Sequence, residues 1–463
     1  ATAALKQIGR DSDRAIGDAL VQSSSARRAA LLPGLQHPDH TAAIIGCLDD
    51  ADPGVRALAA EALARAGAVS ATPQLFALLE DPQPRVVHAA TAALSALGND
   101  QTEGLALRAA ASAMPEVRRA GLRILGYFGY PRAFDAFRTA LYERDQRLRD
   151  AAAAGLAILD EPRARPLLIE AAGEADPKLR AVAVRALGQA EPSDEALIVL
   201  RAALADADSW VRYYACQALG RLRVEAALDE LVQRLSDPAG HVRVAAVEAL
   251  AHLPGAVEAL RSCVASADPD MQRAALLGLG LRADVSSLPT FLQAAHSDDA
   301  ASRLVALSAL ASLHEPSALQ ALAAAARDDD ESVRSAAVGY LQAAPGGSPL
   351  LIALLADGVE RTRVASALSS PHVERVSSLL QGLADADDAL ATLLTSCLAK
   401  LGGTPGRDGL IAALMLDNKA ARMAAAHALA ALGTREATAA LAQCAANDPD
   451  PELRRVAALH LSS

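Results

Sequence analysis

A five-residue phrase, valine-arginine-x-x-alanine, returns about every 31 residues along this chain. Clear copies start at Val55, Val117, Leu148, Leu179, Val211, Val242, Val333 and Leu453. Degenerate copies start at Val86, Met271, Ser302, Thr362, Leu390 and Ala421, and neighbouring starts lie 28 to 32 residues apart. A fixed period of this size marks a stack of like units, each touching only its neighbours. Length alone, 463 residues, would suggest two or three domains, and the repeat overrides that prior.

One unit shows how the period becomes structure. In residues 41–67 an apolar stretch, Thr41 to Leu48, is followed by Asp52-Pro53 and then by Val55 to Ala66. Asp52 suits a helix N-cap, where its carboxylate accepts backbone N–H groups, and Pro53 suits the first helical position. Val55, Ala59 and Leu63 recur at i, i+4 and i+8 and form the expected buried stripe. Gly67 suits a left-handed C-terminal cap, and glycines along the chain are expected at helix ends in the same role. Each unit therefore reads as two short helices joined by tight turns.

The cap recurs. Aspartate stands three residues before the anchor at Asp52, Asp145, Asp176, Asp208, Asp268, Asp299, Asp330, Asp387 and Asp450. Arginine follows the anchor in eleven units, too regular for a ligand site, so these arginines are expected to pair with aspartates of the same or adjacent turns. Aromatic residues are only 3% of the chain, so Ala, Leu and Val must build the core, which suits closely packed helices. The five cysteines, Cys47, Cys216, Cys263, Cys397 and Cys444, are far apart and read as small buried hydrophobes.

The pattern D-x-x-V-R-x-x-A-x-x-A-L-G resembles the HEAT-like repeats of the phycobilisome-lyase type. The matches are strongest at DADPGVRALAAEAL, EADPKLRAVAVRALG, DADSWVRYYACQALG, SDPAGHVRVAAVEAL and NDPDPELRRVAALHL, and the resemblance runs over roughly residues 40–463. It implies an all-α fold, an α-solenoid of about 14 antiparallel helix pairs. The expected organisation is an N-terminal helical cap over 1–40, with helices at 15–21 and 26–32, then regular repeats over 41–344 and C-terminal repeats over 410–463. Between them, 345–409 is expected to be irregular: it opens on Pro345-Gly346-Gly347-Ser348-Pro349 and closes on Gly402-Gly403-Thr404-Pro405-Gly406. A hinge fits this segment, and a decayed but rigid repeat is the alternative. The last helix has no successor to cover it, so either the chain continues or that face packs on something else.

Catalytic patterns are weak. His37-Pro38-Asp39-His40 brings two histidines together with one carboxylate, short of the three or four ligands that zinc wants. His314-Glu315 is similar to one histidine-glutamate pair of the HEAT-type di-iron hydroxylases, which need several. The DNA-alkylation-repeat glycosylases share this type of helical stack but need a basic groove. A net charge of −11 opposes that groove and broad nucleic-acid binding. No metal and no cofactor is expected.

The uneven feature is aromatic. Nine of twelve aromatic residues lie between 127 and 214, and the repeat sorts them. Phe134, Phe137 and Tyr142 read as first-helix core. Second helices line the concave surface in solenoids of this type, and positions anchor+2 and anchor+6 lie off the buried stripe. There the chain places Arg119, Arg123, Arg185, Tyr213 and Gln217, with Tyr214 adjacent. The expected function is a non-catalytic scaffold or adaptor, holding a protein or extended, acidic peptide on the concave face through these residues. The alternative is a lyase-like or chromophore-handling enzyme. The expected location is the cytoplasm of a bacterium, or else a longer exported or membrane-anchored chain.

Overall fold

In the computed structural model, the residues described are 19–462 apart from 21, 36 and 284. All regular structure among them is helical, in consecutive pairs in which the first helix is mostly the shorter. Thr102–Ala110 with Pro115–Phe128, and Ala164–Ala171 with Pro177–Gln189, are typical pairs. The chain divides into two compact units, one ending at Ala249 and the other beginning at Leu250. Of the two expected cap helices one is present, Ser25–Leu31; the other, at 15–21, lies largely outside the described residues. No described helix is long and apolar enough to cross a membrane.

Nine of the second helices start at a capping aspartate. Asp52 accepts from the Gly54 N–H at 2.7 Å, with Pro53 at the first position. All nine aspartates of that row accept a backbone N–H of the following helix. Asn418 does the same for Lys419–Leu432. The buried face is wider than the stripe read from sequence. Val55, Ala59 and Leu63 are buried, but so are Ala60 and Ala62. Within each compact unit, second helices pack on their own first helix and on neighbouring second helices, as Pro177–Gln189 does on Ser209–Arg221 and Pro269–Gly280 on Ala300–Leu313.

That lateral packing explains the glycines of the repeat, which are not all helix caps. Gly67, Gly129 and Gly433 do sit at helix ends with positive φ. Gly188, Gly220 and Gly280 instead lie on the helix face that meets the next second helix. A Cβ on Gly220 would stand 2.5 Å from the Ala249 Cα, and one on Gly280 would stand 2.8 Å from the Ala309 Cβ. Small residues on both sides form a seam that lets the backbones approach.

The arginines form a ladder, on a different row of carboxylates from the expected cap row. Arg56 donates Nε and Nη2 to the Asp81 carboxylate at 2.7 and 3.0 Å, and Nη1 to the carbonyls of Asp50 and Ala51. Arg212 repeats this on Asp237, both bonds at 2.8 Å, with both residues buried. Arg180 pairs with Asp206, Arg303 with Asp328 and Arg422 with Asp448. The acceptor stands five residues before the next anchor, where the first helix of the next unit ends. Each rung ties the turn of one unit to the turn of the next. Arg149 uses a cap aspartate instead, Asp176, and Arg273, two residues past its anchor, reaches another, Asp299.

The glycine- and proline-rich stretches of 345–409 are helix starts. The helix Gly347–Ala356 begins inside the first, after Gly346 at φ 76°, and Gly403–Ala413 begins inside the second. Proline is tolerated there because first-turn N–H groups have no helical partner to lose. The second helix Arg361–Leu368 has only eight residues.

Candidate functional site

The six residues picked from sequence all lie on second helices of the unit ending at Ala249. None of them is buried; Arg123 and Gln217 are exposed and the others half-exposed. They fall into two clusters.

The first cluster is an aromatic ledge. Trp210 is 53% exposed and stacks on His241, ring centroids 4.7 Å apart and planes at 25°. Tyr213 stands edge-on to Trp210 at 5.5 Å and to Tyr214 at 5.2 Å. Gln217 donates to the Tyr213 hydroxyl at 2.7 Å. Burial pushes the Tyr213 hydroxyl above its ordinary pKa, with Glu248 adding to it, so it stays protonated at neutral pH. Arg185 is not a free cation: it pairs with Asp150 at 2.7 Å and lies 5.5 Å over the Tyr214 ring. A chain of contacts therefore runs across four successive second helices, from Asp150 through Arg185 and Tyr214 to Trp210 and His241. It holds the rings rigid.

The second cluster is a groove of about 320 Å³ across the helices Pro84–Leu97, Pro115–Phe128 and Gln146–Ile158. Arg123 lines it with His88, Tyr127 and Ile158, over Ala92 and Ala154. Tyr127 and Ile158 are 65% and 60% exposed. Arg119 stands one turn before Arg123, four residues back on the same helix. Neither side chain makes an ion pair or hydrogen bond among the described residues.

Sequence reading missed His88, Ile158 and His241, and left Tyr127 and Trp210 unassigned. Their signal was the helical period: anchor−1, +2, +6 and +10 lie on one face. Phe134 and Phe137 are core, but Tyr142 follows the end of its helix and is 41% exposed, because the turn there points to solvent. Elsewhere the chemistry is sparse. His40 is buried and its ring lies 6.2 Å from that of His37. Among the described residues no group of three or more His, Cys, Asp or Glu side chains is placed to hold a metal. All five cysteines are buried thiols, and burial pushes Cys216 up to about 12.

A family model described as HEAT repeats matches residues 41–106, 102–188, 166–251, 253–342, 288–370 and 376–462. No curated protein matches the sequence. Among solved structures, a mutant of Kap121p is similar at a TM-score of 0.51 and 13% identity, over 96% of this chain and 61% of that one. Kap121p bound to Ste12p gives 0.49 and 13%, over 96% and 60%. Importin beta gives 0.45 and 16%, over 91% and 66%. The chain thus spans less than two thirds of the length of these proteins, and the likeness is one of fold.

Proposed function

The chain belongs to the HEAT-repeat family, and from that premise we propose that it is a non-catalytic scaffold that binds a protein partner through an extended segment. The binding surface is the second-helix face of the unit ending at Ala249. One observation carries this reading: exposed rings and unpaired guanidinium groups gather on that face, in a chain with few aromatics and a net charge of −11. Tyrosine, tryptophan and arginine are the residues that concentrate binding energy at interfaces. The ledge is held by its own ring contacts and the Arg185–Asp150 pair, so little side-chain entropy is lost when a partner docks. The alternative, a lyase-like activity, gains no support from the site. The groove offers His88, Tyr127 and Arg123 but no carboxylate or thiol to act as nucleophile or as acid–base partner.

Capture from the source lysate tests the proposal, with the chain compared against its double variant Arg123→Glu, Tyr213→Ala and retained proteins identified by mass spectrometry. A protein held by the native chain and lost by a double variant with an unchanged melting curve supports the scaffold. Identical captures overturn it.

A further inference from the structure

The groove and the arginines beside it define a narrower partner chemistry. The floor is small at Ala92, Ala151 and Ala154, while Tyr127 and Ile158 stand up from it, both more than half exposed. An aromatic and a branched aliphatic side chain flanking an alanine floor leave a concave apolar surface in water. Arg123 lines the same groove and Arg119 lies one turn away. Like charges four residues apart on a helix repel each other. Neighbouring arginines on the second helices do have a carboxylate: Arg180 has Asp206, Arg185 has Asp150 and Arg118 has Glu143. Arg119 and Arg123 have none, although Glu116 is on the same helix.

We infer that this groove holds an acidic peptide segment. One large apolar side chain of the peptide sits on Ala92 and Ala154 between Tyr127 and Ile158, and neighbouring carboxylates pair with Arg119 and Arg123. Guanidinium forks bind carboxylates in bidentate fashion, and the apolar seat fixes which carboxylate reaches them. The inference rests on the scaffold reading and specifies its ligand. A nucleic acid would also offer anions to the arginine pair and bases to Tyr127, so the test includes one.

Fluorescence polarisation with the full chain supplies that test. The probe is a labelled peptide rich in Glu and Asp with one central phenylalanine. Replacing that phenylalanine by alanine, or the carboxylates by amides, should each weaken binding by about ten-fold or more. Ala154→Phe fills the groove from an exposed position and should have the same effect, as should Ala92→Gln and Arg123→Gln. Ser308→Phe, on an exposed second-helix position of the other unit, should change nothing. The inference is overturned if both groove-filling variants, folded by circular dichroism, bind the probe as the native chain does. It is also overturned if a single-stranded thymidine oligonucleotide binds more tightly than the peptide. If the captured protein depends on Arg123 and Tyr213 while the peptide ignores the groove, this inference fails and the scaffold stands.

Discussion

The two compact units share a skeleton and differ in what their second helices show to water. The ladder runs in both: Arg180–Asp206 and Arg212–Asp237 in the first, Arg303–Asp328 and Arg422–Asp448 in the second. The glycine seam also runs in both, through Gly188 and Gly220, then Gly280. At the exposed positions they part. The first unit places Arg119, Arg123, Tyr213 and Gln217 there, with Trp210 beside them. The second places Ser308, Ser335, Gly339 and Thr392 at the equivalent offsets, and the larger residues it has there, Arg273, Leu277, His427, Arg455 and Leu459 among them, include no tyrosine or tryptophan. The contrast separates two kinds of repetition. Residues that satisfy backbone groups or let helices approach recur through both stretches, since the units have like turns to close. Residues facing solvent carry no such demand and are free to specialise in one stretch.

The sharpest way to break the comparison is to remove a rung from each unit. Asp237→Ala and Asp448→Ala each leave a buried guanidinium without its carboxylate, and each should cost about 3–5 kcal/mol in denaturant unfolding. If only one unit suffers, the ladder is not a common skeleton. The same carboxylates set the acid limit. Burial alone would raise Asp206, Asp237 and Asp328, but their arginines and the N–H groups they accept overcome it, and all three lie below the ordinary carboxylate pKa. Asp299, held by the Ser302 hydroxyl and N–H and by Arg273, lies at about 2. Groups depressed in the folded state stabilise it above their unfolded pKa of about 4, and that stability is lost as pH falls through the folded values. Melting temperature should therefore hold down to about pH 4 and drop between there and about pH 2. A melting temperature flat across that window counts against the ladder.

Next in size is the seam. Gly220→Ala and Gly280→Ala put a methyl group into the neighbouring second helix and should each cost about 1–3 kcal/mol. A neutral result at either would mean that the helices there slide apart freely. Smaller, and opposite in kind, is the surface test. Arg123→Glu should weaken partner binding about ten-fold, some 1.4 kcal/mol, with an unchanged melting curve, while Thr392→Glu should leave binding alone. Equal losses would erase the difference between the units. The smallest effect is a gain. Arg223 and Ala283 have φ of 52° and 47° at the helix-end position that Gly67 and Gly129 fill elsewhere. Arg223→Gly in one unit and Ala283→Gly in the other should each stabilise by about 0.5–1 kcal/mol, readable as a higher melting temperature.

Much of this was legible in the residues. The aspartate three before nine of the anchors named the start of its helix, because capping depends on a bond two or three residues away and needs no distant partner. The anchor, +4 and +8 positions named the core side of each second helix for the same reason. Arg119, Arg123, Arg185, Tyr213, Tyr214 and Gln217 were found by subtracting that core from the helix period, and all six lie at exposed or half-exposed positions of second helices.

What escaped were contacts between units. Which aspartate an arginine reaches depends on how far one unit is displaced from the next, and the repeat pattern alone does not set that displacement. The glycine of the A-L-G phrase looked like a cap because its second role, an absent Cβ, has meaning only against Ala218 or Ala249 of the next helix. Arg185 and Arg123 are the same residue at the same offset, yet one is tied to Asp150 and the other is free. The sequence determined local matters: helix starts, helix lengths, the buried face and the repeat itself, all fixed by interactions within a few turns. The tertiary structure decided the rungs, the seam and which surface cations keep their charge available, because each requires two units brought side by side.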